Sequence, residues 1–264
     1  MSKSKIFAGA ALGVVLLSPV VHAADMPEYI EPAPIEVAAG GWYLRGDIGA
    51  SHQVSDDIDS PYWDTVTSPT SFVDLHDSQW DPSWFISIGF GYQFNEWFRT
   101  DFTAEYRGKS DFFGTDSYDF DTTTNPGSEG ANTFTGDKSE WVLLANAYVD
   151  LPSYGIMTPY LGAGIGAARI EISDFVDYNP INGAIGLSDD TATWNFAWAL
   201  HAGLAFELSQ NWTVDLAYRF LYMGDAQTED LLAPDGSNPT PGNSFHWNDI
   251  ASHDIKLGVR YTFD

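Results

Sequence analysis

The feature of this sequence that most constrains its fold is an alternation of charged and apolar residues with a period of two. In the stretch FRTDFTAEYR, residues 98–107, one parity carries Arg99, Asp101, Glu105 and Arg107, while the other carries mostly aromatic and small side chains. Successive side chains of a β-strand point to opposite faces. The stretch is therefore predicted to be a strand with one charged face and one apolar face.

Seven other segments repeat this two-faced pattern, so the sequence predicts eight strands. Their boundaries are 42–51, 84–94, 98–107, 141–151, 159–168, 195–208, 212–222 and 250–263. Short connections alternate with long ones along the chain. The long connections are 54–82, 108–140, 171–190 and 223–249, and they hold 24 acidic residues and two lysines. Up-and-down membrane barrels show this asymmetry, with short periplasmic turns and long external loops.

The charged faces are predicted to line the interior of a closed barrel. The apolar faces carry about 18 aromatic rings, more than the interior of an eight-stranded barrel can hold. The opposite faces carry glycines and opposed charges, which must pair when they are buried. This predicted lumen network consists of Arg45, Asp47, Arg99, Asp101, Glu105, Arg107, Asp150, Glu207, Asp215, Arg219, Asp254, Lys256 and Arg260.

The segment length fits a bilayer. Ten residues at about 3.3 Å each, tilted by roughly 40°, span about 25 Å, the height of an outer-membrane apolar band. Aromatic residues near the strand ends are predicted to face the lipid interfaces. They are Trp42, Trp84, Phe94, Phe98, Trp141, Phe206, Trp212, Tyr222, Tyr261 and Phe263. The predicted fold is all-β, an eight-stranded antiparallel up-and-down transmembrane β-barrel with short periplasmic turns and long acidic external loops.

The chain divides into three predicted parts. Residues 1–23 have the charge and hydropathy pattern of a signal peptide, with cleavage expected after Ala23. Residues 24–40 form an acidic, proline-rich tail that we expect in the periplasm. Residues 41–264 form the barrel. No other segment has the run of about eighteen apolar residues that a transmembrane helix requires.

The charge of the chain excludes one class of partner. The formal net charge is -26, and loss of Lys3 and Lys5 with the leader leaves nine basic and 37 acidic residues, net -28. Nucleic-acid binding requires basic patches, so no nucleic acid is expected. The chain has no cysteine, so no disulfide supports the exported protein.

Several segments resemble small outer-membrane β-barrel proteins of Gram-negative bacteria, the OmpA-like or opacity-type family. They are NAYVDL (146–151), TPYLGAGIGAA (158–168), DLAYRF (215–220) and IKLGVRYTF (255–263). The leader, the acidic tail and GWYLRGDIGAS resemble in particular the major surface antigens of alphaproteobacteria of the rhizobial type. The resemblance implies the cell outer membrane, export by a cleaved signal peptide, and lipid, lipopolysaccharide and the barrel-assembly machinery as partners. It also implies a terminal aromatic residue, whereas here Asp264 follows Phe263.

The function expected from these observations is structural. The barrel would maintain envelope integrity and present acidic loops outside, with little or no pore activity. The alternative is a surface binding or adhesion protein whose loops capture a cation, haem or a host ligand. No catalytic residue is assigned and no enzyme is expected, because the lumen is charged rather than an apolar acyl-chain slot. The single His-x-Ser, His76-Asp77-Ser78, falls in a long connection.

No cofactor or metal site is assigned from the sequence. Oxygen-rich acidic loops suit Ca²⁺ or Mg²⁺, so DDID (56–59) and DSYDFD (116–121) are the candidates for weak cation binding, although they lack EF-hand spacing. His201 is expected to point inward. The histidines expected near the outer rim, where haem would be bound in the alternative function, are His52, His76, His246 and His253.

Overall fold

A computed structural model describes residues 40–55, 57–60, 72–119, 129–238 and 241–263. Across these ranges the protein is built of antiparallel strands, and none of the described residues forms a helix with the length and hydropathy needed to cross a bilayer. The strands are β1 (Gly41–Val54), β2 (Asp57–Asp59), β3 (Phe72–Trp80), β4 (Ser83–Asn95), β5 (Phe98–Asp119), β6 (Glu129–Asp150), β7 (Met157–Tyr178), β8 (Ile185–Leu187), β9 (Thr191–Glu207), β10 (Trp212–Gln227) and β11 (His246–Thr262). The predicted leader, the cleavage position Ala23 and tail residues 24–39 lie outside the described residues.

Eight of these strands close into a ring. The order is β1–β4–β5–β6–β7–β9–β10–β11, and β11 pairs with β1 to complete it. β2 continues β1 against β11, β3 continues β4 against β5, and β8 pairs with the end of β7. Closure provides every strand of the ring with two neighbours, as a hydrocarbon environment requires. The predicted eight-stranded antiparallel barrel is confirmed.

The wall of the barrel is polar inside and apolar outside. In β1, Arg45 and Asp47 are 5% and 2% exposed, whereas Leu44 and Ile48 are 51% and 58% exposed. The same alternation runs through β5, where Arg99 is fully buried. In the part of the chain that the structure describes, no protein layer covers the outward side chains, so lipid is the solvent that suits this surface.

Inward glycines make room for tyrosine rings of the neighbouring strand. A Cβ atom at these glycines would overlap the ring, so a larger residue could not be accommodated without displacing it. The pairs are Tyr43 on Gly91, Tyr148 on Gly162 and Tyr160 on Gly203. Each ring thereby occupies the space inside the barrel that a larger residue at the glycine would need.

The connections at one end of the barrel, which we call the inner end, are tight. Between β4 and β5, the Asn95 side-chain oxygen accepts hydrogen bonds from the backbone N–H groups of Trp97 and Phe98, at 3.0 and 2.8 Å. This side-chain cap satisfies two backbone donors in a turn too short to form a ladder. The short predicted turns are therefore observed at this end.

At the opposite, outer end the strands run much further than predicted. β5, β6 and β7 have 22 residues each, about twice the length that crosses the apolar band. Much of the sequence expected as loops is strand instead, including β2, β3, β8 and the outer halves of β5 to β7. The loop boundaries were wrong because strand pairing continues there, although register shifts interrupt the period of two and apolar residues replace the charges on the inner face.

The interior of this outer extension is an apolar cluster, which we call the outer cap. Phe134 and Phe245 approach with ring centroids 4.5 Å apart, and Phe112 and Trp247 with 5.2 Å. The main large side chains of the outer cap are Trp80, Phe112, Phe134, Phe175, Met223, Leu231, Phe245 and Trp247. Leu231 and Phe245 belong to the connection between β10 and β11, so this connection is anchored inside the barrel.

Candidate functional site

The interior charge network begins with a cluster around Arg45. Its guanidinium lies 2.7 Å from Asp47 Oδ1 and 2.8 Å from Asp101 Oδ2. Asp47 also accepts a hydrogen bond from the Ser87 hydroxyl at 2.8 Å, and Asp101 accepts one from Asn146 Nδ2 at 2.8 Å. Charge-assisted hydrogen bonds of this length are strong. The five residues come from β1, β4, β5 and β6, so the cluster links four strands across the lumen.

A second cluster places two arginines against two carboxylates. Arg107 contacts Glu105 at 2.9 Å and Asp254 at 3.0 Å. Arg219 contacts the same two carboxylates at 2.6 Å each. All four side chains are buried, and Arg107 donates a further hydrogen bond to the Ser51 hydroxyl. The shared geometry joins β5, β10 and β11 through the centre of the barrel.

A third pair, absent from the sequence prediction, lies further toward the outer end. Lys138 Nζ contacts Glu140 Oε1, and Glu140 Oε2 is 3.5 Å from Arg107 Nε. Lys138 and Glu140 are 0% and 1% exposed. The sequence analysis places both in the long external connection 108–140. Extending the period of two backward from Val142, which is also buried, would have placed both on the inner face.

At the inner end, Arg99 is packed between two tyrosine rings. Its Cζ atom lies 4.2 Å from the ring centroid of Tyr148 and 4.5 Å from that of Tyr160. Its Nε is 3.1 Å from both carboxylate oxygens of Asp150. Within the described part of the chain Nη1 and Nη2 have no hydrogen-bond partner, so cation–π contacts with the rings stabilise this end of the guanidinium.

The remaining predicted lumen charges interact at longer range. Arg260 Nε lies 4.0 Å from Asp215, and Lys256 Nζ lies 4.0 Å from Asp47. Glu207 is partly exposed at the inner rim and forms no ion pair with any described residue. The structure thus brings together the predicted lumen residues except Glu207.

The buried ion pairs are balanced in charge. The positive members are Arg45, Arg99, Arg107, Lys138, Arg219, Lys256 and Arg260. The negative members are Asp47, Asp101, Glu105, Glu140, Asp150, Asp215 and Asp254. Buried charges are tolerated when they are paired, and removal of one partner leaves an uncompensated charge. The arrangement therefore fills and neutralises the lumen.

The predicted interface aromatics lie on the outer face of the wall. Trp42 packs against Tyr92 with ring centroids 5.1 Å apart, and Trp212 packs against Tyr261 at 4.9 Å. The other predicted members are exposed or partly exposed on the same face: Trp84, Phe94, Phe98, Trp141, Phe206, Tyr222 and Phe263. Tyr106, which the sequence prediction did not include, joins them through a 5.1 Å contact with Trp141.

The rim histidines do not converge on one site. His52 and His253 are neighbours in the β1–β11 register and both are exposed, while His76 is exposed on β3. His246 Nδ1 lies 3.7 Å from Asp59 Oδ1. No group of three or more metal-ligating side chains occurs among the residues that the structure describes. The acidic stretches 56–59 and 116–121 lie partly outside those residues.

His201 points into the lumen, as the sequence predicts. Its Nε2 lies 3.2 Å from Asn146 Oδ1. Through Asn146 this histidine joins the cluster around Arg45, so it belongs to the interior network and not to a rim site.

Two carboxyl groups lie inside the outer extension, beyond the membrane-spanning part. Asp116 is buried and accepts a hydrogen bond from the backbone N–H of Asn132 at 2.7 Å. Asp177 Oδ1 is buried and has no hydrogen-bond partner among the described residues. Burial, together with the charge of Asp116, raises the pKa of Asp177 to about 7. Asp177 therefore changes its charge near neutral pH.

Comparison with known proteins identifies the family. An uncharacterized protein of Brucella abortus is 31% identical over 97% of this chain and 99% of its own length. A Rickettsia massiliae protein named "Putative adhesin" is 27% identical over 83% of this chain and 87% of its own. Among solved structures, the outer membrane protease OmpT of Escherichia coli superposes with a TM-score of 0.50, at 11% identity, over 85% of this chain and 94% of that one. This last similarity concerns the fold alone.

The family described as "Outer membrane protein beta-barrel domain" matches residues 10–263, nearly the whole chain. The match agrees with the closed antiparallel ring and with its apolar exterior. Family membership implies the outer membrane of a Gram-negative bacterium. The chain therefore belongs to the outer-membrane β-barrel family.

Proposed function

We propose that the chain is a structural barrel of the outer membrane that maintains envelope integrity, presents acidic surface loops and conducts little or nothing. The observation that carries this proposal is the filled interior. Seven positive and seven negative buried side chains occupy the lumen, and the outer cap lies above them. A conducting pore would keep its lining charges in water, whereas Arg99 and Arg107 are fully buried.

In this proposal the protein is not an enzyme and needs no cofactor. The lumen carboxylates face arginine or lysine side chains, and this charge pairing supports a structural role for them. The leader would be removed after Ala23 during export, and the tail 24–40 would lie in the periplasm. The partners would be outer-membrane lipid, lipopolysaccharide and the barrel-assembly machinery.

Conductance measurements test the closed lumen. The purified barrel is reconstituted into planar bilayers beside a porin as positive control, and we expect no stable channel from it. A reproducible channel of porin size would contradict the proposal. The envelope role is tested separately, by deleting the gene and measuring sensitivity to detergent and to large antibiotics. Restoration by the wild-type gene, but not by a chain truncated before β11, is expected.

A surface binding function is the second candidate. It is supported by the name of the Rickettsia relative and by the acidic composition of the outer connections. The ligand would be a cation, haem or a host molecule held by the outer connections. Shortening residues 232–243 to a Gly-Ser turn, which spares Leu231 and Phe245 of the outer cap, would abolish attachment to host cells while the barrel still folds. Unchanged attachment would remove this connection as the binding element.

A further inference from the structure

The basic residues of the chain are unevenly distributed between the two sides of the barrel wall. After the leader there are nine, and seven of them lie in the lumen. The other two, Lys109 and Arg169, lie on the outer face, in β5 and β7, with only β6 between them. The outward positive charge of a strongly acidic chain is therefore confined to one patch.

Arg169 lies at the height of a lipid interface. In the strand register it is the cross-strand neighbour of Trp141 on one side and of Trp194 on the other. Both tryptophans point outward, with 48% and 59% of their surface exposed. Tryptophan side chains favour the boundary between hydrocarbon and head groups. A guanidinium held between them reaches the head-group layer.

Lys109 lies across β6 from Arg169 and further toward the outer end. Its Nζ is 2.6 Å from Asp137 and 3.5 Å from Asp174, and its side chain is 56% exposed. The hydrogen bond with Asp137 raises the pKa of Lys109, which keeps the ammonium charged. Arg169 contacts Glu171 at 2.5 Å and retains one third of its exposure. Both cations thus remain accessible although each has a carboxylate neighbour.

We propose that this patch, formed by Lys109, Asp137, Arg169, Glu171 and Asp174, binds the phosphate groups of an outer-leaflet glycolipid. Ammonium and guanidinium groups donate to phosphate oxygens. Carboxylates bind divalent cations, which can be shared with the same phosphates. With two positive and three negative groups, the patch repels a lone anion. In a layer of phosphates bridged by divalent cations, however, the two basic side chains can contact phosphates and the carboxylates can contact the divalent cations.

The opposite side of the barrel lacks this combination. There, His52 and His253 occupy neighbouring outward positions of β1 and β11, and the Tyr218 hydroxyl lies 2.7 Å from His253 Nδ1. Lipid binding should therefore be one-sided. The inference rests on the proposed orientation, with the outer extension outside the cell, and His52 and His253 offer a matched control surface.

The test uses the whole mature chain refolded in zwitterionic detergent and titrated with purified lipopolysaccharide in low salt with Mg²⁺. The Lys109→Gln/Arg169→Gln variant is expected to bind about ten-fold more weakly, because each cation near an anionic lipid surface contributes about 1 kcal/mol and part of that is screened. The His52→Gln/His253→Gln control should bind like the wild type. Enzymatic dephosphorylation of the lipopolysaccharide, or chelation of Mg²⁺, should weaken wild-type binding to a similar extent.

Three results would overturn the proposal. They are equal binding by the Lys109→Gln/Arg169→Gln variant, equal binding of dephosphorylated lipopolysaccharide, and equally tight binding to phosphatidylglycerol vesicles, which would indicate any anionic lipid. The charge-retaining Lys109→Arg/Arg169→Lys variant must bind like the wild type. Heat-modifiable gel migration verifies that each variant is folded. Conductance is measured on the same preparations, so an open lumen and a failure to bind glycolipid are recognised separately.

Discussion

The lumen and the outer cap are enclosed by the same closed sheet, but the lumen is lined by paired charges and the outer cap by apolar side chains. In the lumen, β5 buries Arg99, Asp101, Glu105 and Arg107. A few residues further along, beyond a register shift between Arg107 and Ser110 that changes the inward parity, the same strand buries Phe112. The outer face changes in the opposite sense, from apolar beside the lumen to largely polar beside the cap.

This difference shows that the medium outside the wall decides what the inside contains. Beside lipid, the outward positions must be apolar. The charged side chains of these strands can therefore lie only on the inner face, where they must be paired. Beside water, the ordinary hydrophobic effect returns and apolar side chains occupy the interior. The polarity exchange along β5 to β7 therefore marks the outer boundary of the hydrocarbon layer, just beyond Tyr106 and Trp141.

The largest effect is expected from breaking the lumen network at its centre. Arg107→Met leaves Glu105, Glu140 and Asp254 without their shared cation and should lower the free energy of unfolding by about 3–5 kcal/mol. Urea unfolding in lipid vesicles measures this loss. Lys109→Met on the exposed outer face serves as the control and should change stability by less than about 0.5 kcal/mol. Similar values for the two variants would contradict a buried, paired network.

Truncation of a side chain in the outer cap should lower the free energy of unfolding nearly as much, but only in that part of the barrel. Phe134→Ala removes a fully buried ring and should destabilise the extension by about 3 kcal/mol. Hydrogen exchange is expected to accelerate in the outer halves of β5 to β7 while β1 stays protected. Phe113→Ala, on the exposed face of β5, is the matched control. Equal acceleration throughout the barrel would mean that the two interiors form one cooperative unit.

The two inward tyrosines beside Arg99 allow the contribution of two lumen hydroxyl groups to stability to be compared. The Tyr148 hydroxyl lies 3.1 Å from Arg45 Nη1 and 3.4 Å from Asp101 Oδ1, so Tyr148→Phe should cost about 1–2 kcal/mol. The buried Tyr160 hydroxyl has no partner among the described residues. Tyr160→Phe should accordingly be neutral or stabilising in the same urea assay. The reverse order would show that Tyr160 has the more important polar contact.

The smallest effect concerns pH. Asp177 has a pKa of about 7, above its value in an unfolded chain. The folded extension therefore holds a proton that the unfolded chain releases, and its stability should fall as pH rises from about 4 to 7 and level off above that. Because Asp177 is partly exposed, solvent reduces the change to about 1 kcal/mol. Hydrogen exchange at pH 5.5 and 8 measures it. The slope should vanish in Asp177→Asn, and its persistence there would assign it to another group.

The sequence predicts the barrel because its signal is repeated in every strand. Inward Arg45, Arg99 and Arg219 share their parity with acidic or small residues, so the inner face could be identified without coordinates. The pairing itself could not, because Arg107 and Asp254 meet only across the closed ring. Period and composition determine which face a residue occupies, but not which distant strand it contacts.

The outer cap cannot be predicted from the sequence, for two physical reasons. Its inward phenylalanines alternate with polar outward residues, so the average composition of 108–140 resembles a loop. Register shifts also interrupt the period. Asp174 adopts a positive φ of 53°, and after it the inward parity changes from Ile172 to Phe175. A second positive-φ residue, Asp249, lies between buried Trp247 and Ile250. A bulge of this kind reverses the faces of a strand and cannot be read from a fixed period.

The pairing of β1 with β11 has a consequence for biogenesis. These two strands form one seam of the ring in perfect register over twelve residue pairs, yet they lie at opposite ends of the folded sequence. A fragment that lacks either strand cannot close the barrel. It would expose two unpaired strand edges, whose backbone groups can pair with other chains. The barrel therefore exposes unpaired strand edges, which favour aggregation, until β11 pairs with β1 and closes it.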